Sequence, residues 1–210
     1  DVVAIGGICD ISDEFLPQLR ARIEDDLGIP GGNVLVNASH THPPGALLIE
    51  HDEQVTRTFD AVRRASEDTV EVTVGAGSGH EDRWIINRTL HTTDGRGWTI
   101  RQANPCPPDE EVAGLGPIDP EIGILRVDRA DGTPLAVLYN YACHPLMGVP
   151  GGAITANYPG FASEVIEDCL DGAMALFVQG AGGDVTEITY KDFDHPRDSA
   201  PLGRMLGLHT

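Results

Sequence analysis

The chain has 210 residues, 40% of them hydrophobic and 22% charged, with a formal net charge of -19 and a single lysine, Lys191. That balance belongs to a globular chain long enough for a substantial core, and so acidic a surface disfavours nucleic acid backbones and anionic membranes as partners. Neither an apolar run of the ~20 residues a membrane span needs nor a basic leader region is present, and the four cysteines at 9, 106, 143 and 169 lack the spacing of a zinc ribbon or a disulfide scaffold.

In chain order, residues 2–9 read as a buried strand. Ser12, Glu14 and Phe15 open a helix over 13–26, with Leu16, Leu19, Ile23 and Leu27 on one stripe. Gly28 and the Pro30-Gly31-Gly32 turn end it, and a second strand over 33–39 completes a βαβ-like unit. Residues 50–68 read as a helix with Val55, Phe59, Val62 and Ala65 inward. Residues 69–75 alternate like a half-exposed strand, and the Gly-, Pro-, Asp- and Thr-rich stretch 76–117 reads as long loops.

Residues 122–127 and 135–142, split by Asp131-Gly132, form a hairpin. Asn157 reads as the N-cap of a helix over 158–170, with Pro159 in its first turn. A last strand, 173–179, runs into Gly180-Ala181-Gly182-Gly183-Asp184, and from Lys191 on only loop and a helix start are legible. The fold expectation is an α/β layered domain over 1–210, with a mixed, mainly parallel sheet flanked by helices.

Chemistry collects at strand ends. The runs 2–9, 34–39, 135–142 and 173–179 lead into Asp10, into His40 with His42, into His144, and into Asp184 with Thr186. In open α/β sheets ligands bind outside the carboxyl ends of strands, so these residues converge if the strands are neighbours. Alternation along extended chain puts His40 and His42 on one side with Thr41 opposite, and turns Cys143 away from His144 as a buried thiol. Taken singly, each histidine is better explained as a strand cap bonded to loop backbone. As a set they suit a metal, zinc above all, with one imidazole free for proton transfer. Asn87-Arg88 can supply a donor to an oxyanion or to a substrate hydroxyl, with a surface ion pair the other reading of Arg88, and the glycines at 180–183 allow close backbone approach to a ligand.

Several of these segments resemble the neutral/alkaline, non-lysosomal ceramidases and their bacterial relatives. The stretch Val34-Leu35-Val36-Asn37-Ala38-Ser39-His40-Thr41-His42 is similar to that family's run ending in His-Thr-His-Ser-Gly-Pro. Asn87-Arg88 resembles its Asn-Arg-Ser segment, and Asn140-Tyr141-Ala142-Cys143-His144-Pro145 the strand with its second zinc histidine. Asn157-Tyr158-Pro159-Gly160-Phe161-Ala162 resembles the helix start that follows, and 179–186 its Gly-Asp-Val-Ser-Pro-Asn motif.

The resemblance implies a Zn2+ site with His40 and His144 as ligands, His42 and Arg88 on substrate and oxyanion, and Thr186 in the place of a serine nucleophile or substrate contact. It implies hydrolysis of the N-acyl amide of ceramide or a related lipid amide, a small-molecule or lipid substrate, and a secreted or periplasmic setting. It also implies that the chain is an incomplete segment of a longer catalytic domain, because the family's glutamate and tyrosine zinc ligands lie downstream of the glycine-aspartate motif. Pro43 and Thr186-Glu187-Ile188 depart from the family pattern, which leaves the attacking group open between the Thr186 hydroxyl and a metal-activated water. Two other readings stand beside this one. One is a metal-dependent esterase or phosphoesterase using Asp10 and Asp184; the other is a non-catalytic domain with an incomplete site. Oligomeric state and compartment are not legible from the residues alone.

Overall fold

The structure, a computed structural model, describes residues 2–5 (backbone only), 12–40, 50–100, 106–147, 155–188 and 198–210. Strand β1 (Val2–Ile5) pairs in parallel with β2 (Leu35–Ala38), linked by helix α1 (Phe15–Leu27), so the βαβ unit forms as expected. Phe15, Leu19 and Ile23, four residues apart, are the buried stripe of α1; Leu16 is only half-buried. They pack with Val34 and with Val55 and Phe59 of helix α2 (His51–Glu67) into one core. Ala65 is exposed, because the inward stripe of α2 ends near Val62.

The main sheet contains β3 (Val72–His80), β8 (Glu121–Arg129), β9 (Pro134–Tyr141) and β10 (Met174–Gln179), in the order β10-β9-β8-β3. β10 and β9 are parallel, whereas β8 is antiparallel to both β9 and β3. The sheet is therefore mixed rather than mainly parallel. The cause is local: the Asp131-Gly132 turn, with Gly132 at φ 84°, lets β8 and β9 follow each other as a hairpin, and a tight turn can join only antiparallel strands.

One face of this sheet carries Ile122, Val137, Tyr139 and Phe177 against helix α3 (Asn157–Cys169) and helix α4 (Ala200–His209). The register puts Val74, Leu125, Leu176 and Met174 on the other face, where they are exposed. Asn157 is not the N-cap of α3. Ala156 holds that place, and Asn157 sits at φ 57° with its side chain bonded to the Tyr158 N–H and the Met147 carbonyl.

The expected long loops over 76–117 contain several short strands. β3 runs on to His80, and β4 (Ile85–Asn87), β5 (Thr89–Thr92), β6 (Gly97–Thr99) and β7 (Val112–Leu115) follow. β5 pairs with β6 and β7, while β4 pairs with β11 (Val185–Glu187). These strands have three or four residues, too few for a period of two to stand out from Gly- and Thr-rich turns.

Three features position the strand ends. Gln179 and Tyr141 are partners at the ends of β10 and β9. The Asn37 side chain donates to the Gln179 carbonyl (3.0 Å) and accepts its N–H (2.9 Å), tying β2 to β10 as a backbone ladder would. Gly180 and Gly182 then lie against β9: an added Cβ would sit 3.0 Å from the Tyr141 carbonyl oxygen and 2.8 Å from the Cys143 backbone respectively. Only glycine permits that approach.

Candidate functional site

The carboxyl ends of β2, β9 and β10 bring two histidines together across 104 positions of sequence. His40 Nε2 and His144 Nε2 are 2.8 Å apart, with the rings edge-on at an interplanar angle of 78°. His40 reaches this position because its backbone is at φ 53°. It has thus left the extended conformation on which a shared side for His40 and His42 depended; His42, like Asp10, lies outside the described residues. A left-handed non-glycine residue costs about 1–3 kcal/mol and is enriched at functional sites.

His144 is buried and held from both sides. Its backbone N–H donates to the Val185 carbonyl, it bridges Thr186 in parallel, and its Nδ1 lies 3.1 Å from the Gly182 carbonyl oxygen. A carbonyl only accepts, so the network assigns the proton to Nδ1 and leaves Nε2 as the acceptor facing His40. Burial lowers the pKa of His40, and the neighbouring Arg88 charge lowers it further, so the neutral imidazole is favoured.

Arg88 borders the pair. Its guanidinium donates to the Gly183 carbonyl and its backbone N–H to the Asp184 carbonyl (2.7 Å). Asn87 Nδ2 donates to the Asp184 carboxylate at 2.9 Å. Cys143 is a buried thiol on the core side, as alternation predicts. Thr186 is fully buried, and its hydroxyl has no hydrogen-bond partner among the described residues.

Two imidazoles suit zinc and supply half of a tetrahedral shell. Ligands at zinc–nitrogen distances of ~2.0–2.1 Å stand roughly 3.3 Å apart, slightly wider than the 2.8 Å between these nitrogens. The pair fits such a role once His40 moves its Nε2 proton to Nδ1. Among the described residues no group of three or more His, Cys, Asp or Glu could complete the shell.

Next to Thr186 is a buried carboxyl that the sequence marks only as a departure from the family pattern. Glu187 is 2% exposed, with neither carboxyl oxygen hydrogen-bonded among the described residues. Burial drives its pKa well above the carboxylate range. The Met147 backbone N–H favours the charged form and opposes this, and the Asp198 charge adds to it. The folded state therefore keeps a proton that the unfolded chain releases near pH 4.3, and stability falls as pH rises from there toward the folded pKa. Glu187→Met removes that proton uptake. Its melting temperature, scanned by calorimetry, is expected to exceed the parent's by a few degrees at pH 8, with the gain disappearing near pH 4. An equal gain at both pH values would show that the carboxyl does not titrate differently on folding.

No family model matches the sequence, and no curated protein sequence matches it. Solved structures do resemble the fold. A neutral ceramidase from Pseudomonas aeruginosa is 21% identical over 98% of this chain and 35% of its own, with a TM-score of 0.64. A structure described as a ceramidase complexed with C2 is 21% identical over 95% of this chain and 33% of its own, with a TM-score of 0.63. The chain thus spans about a third of the length of either neighbour. At this identity the likeness establishes a ceramidase-like fold, and no helix among the described residues is long and apolar enough to cross a membrane.

Proposed function

We propose that this chain carries the histidine side of a zinc-dependent amide hydrolase site of the ceramidase kind, acting on the N-acyl amide of a ceramide or related lipid amide. The observation that supports it most is the meeting of His40 and His144 at 2.8 Å beside Arg88, at the joined ends of β2, β9 and β10. Zinc, when bound, supplies Lewis-acid polarisation of a carbonyl and acidification of water. His40 and His144 would hold it, with the Gly182 carbonyl keeping His144 in the tautomer whose Nε2 is available. Arg88, anchored on Gly183, presents fixed positive charge where negative charge develops on the acyl oxygen. His42 is assigned to the same substrate contact by its place in the His-Thr-His motif.

The test is hydrolysis by the full-length protein of ceramide, an acyl ester and a phosphomonoester, with and without added zinc. Zinc-dependent amide cleavage is the expected result. Cleavage of only the ester or phosphoester would overturn it in favour of the carboxylate-assisted reading, and no zinc uptake with no turnover would favour a binding domain. Thr186→Ala is expected to keep turnover within about tenfold, because its buried hydroxyl and stiff β-branched χ1 suit positioning better than attack. A loss beyond about a thousandfold with zinc retained would make Thr186 the nucleophile.

A further inference from the structure

Asn87, at the end of β4, is 1% exposed, yet every hydrogen-bonding atom of its side chain is used. Nδ2 donates to the Pro117 carbonyl at 2.7 Å and to Asp184 Oδ2 at 2.9 Å, and Oδ1 accepts the Thr89 N–H at 2.8 Å. Three separate segments are thereby tied through one amide: the β4–β5 connection, the 116–117 turn and the glycine-rich loop after β10. The turn is shaped to receive it, since a Cβ on Gly116 would lie 2.6 Å from Asn87 Cγ.

We propose that Asn87 is a positioning residue that locks Arg88 and the 180–184 loop into one unit and so sets Arg88 relative to His144; this rests on the roles given to those two residues above. The loop offers consecutive carbonyls to the site. Gly182 takes His144 Nδ1, Gly183 takes the Arg88 guanidinium, and Asp184 takes the Arg88 N–H. Arg88 and His144 therefore hang from adjacent rungs of one short loop, and the Asn87–Asp184 bond fixes that loop to the strand bearing Arg88. No other side chain fits the pattern. Aspartate would set a carboxylate against that of Asp184 and lose both donors, leucine would leave the Thr89 N–H and two acceptors unpaired, and glutamine is a methylene too long for the space at Gly116.

The experiment follows the Arg88 guanidinium N–H resonances by NMR in the full chain, assigned by their loss in Arg88→Lys. They are expected to be slowly exchanging in the parent and to merge with the solvent-exchanging arginines in Asn87→Asp. They should return in part in the double variant Asn87→Asp/Asp184→Asn, which restores the amide–carboxylate pair with its roles exchanged but leaves the Pro117 carbonyl without its donor. In the amide assay Asn87→Asp is expected to lower kcat about tenfold or more with little change in KM, and to add nothing to the loss caused by Arg88→Ala. Unchanged Arg88 resonances in Asn87→Asp, or losses that multiply with Arg88→Ala, would overturn the proposal. If Asn87→Asp does not fold, Asp184→Ala, an exposed position, breaks the same bond and should produce the same exchange of Arg88 in weaker form. Absence of amide hydrolysis in the parent would sink the functional reading and leave the resonance test of Asn87 to stand on its own.

Discussion

Alanine at His144, and separately alanine at His40, is expected to strip zinc from the full-length protein and lower amide turnover by more than about a hundredfold. Loss of an outer-shell partner alone typically costs 10- to 100-fold in metal affinity or activity, and these imidazoles are assigned to the metal itself. The double variant should be scarcely worse than either single one, because half a ligand pair holds little that its absence would forfeit. Zinc content after dialysis and turnover at saturating substrate are the two measurements. His42→Ala provides the contrast: turnover falls while zinc is largely retained, since its assigned role is on the substrate. The fold should survive all three changes. His144→Ala removes the hydrogen bonds to Gly182 and to His40, each worth about 1 kcal/mol, so a two-state melt lowered by several degrees but still cooperative is expected. Zinc and turnover both persisting in His144→Ala would remove the basis for the metal assignment.

A large effect on stability is expected far from the site, at Gly203 and Gly207 of α4. They lie one turn apart on the face pressed against α3. A Cβ at Gly203 would sit 2.6 Å from the Tyr158 carbonyl oxygen, and one at Gly207 would sit 2.7 Å from that of Ala162. Two effects compete when either becomes alanine. Helix propensity favours alanine by about 0.8–1.0 kcal/mol, while overpacking a close contact costs about 1–3 kcal/mol. Overpacking should win, because the obstacles include backbone oxygens that no rotamer change can move. Leu202 and Leu206, buried on the same helix, make the contact hard to open without uncovering the core. Valine at either glycine should therefore destabilise by about 3 kcal/mol, lowering the melting temperature by roughly 6–12 °C. Gly77→Ala is the control, since an added Cβ there meets nothing within 4 Å, and it should be neutral or slightly stabilising. A melting temperature unchanged in Gly203→Val would mean that α4 does not pack this closely.

The residues by themselves determined the long elements and the candidate histidines. Helices α1, α2 and α3 and the β8–β9 hairpin were legible because a stripe such as Phe15, Leu19 and Ile23, or a Gly132 turn between two apolar runs, repeats over enough residues to be a period. His40 and His144 were legible because each follows a strand, and ligands gather outside the carboxyl ends of strands. Only the tertiary structure decided how the pieces meet. The short strands from Ile85 to Leu115 carry no readable period, so their pairing depends on partners such as β11, nearly a hundred residues away. The left-handed turn at His40, the Gly182 carbonyl behind His144, the three bonds of Asn87 and the buried carboxyl of Glu187 join a side chain to distant backbone or core. Such contacts leave no local pattern in the chain, because the free energy that selects them is gained only when remote segments have already packed.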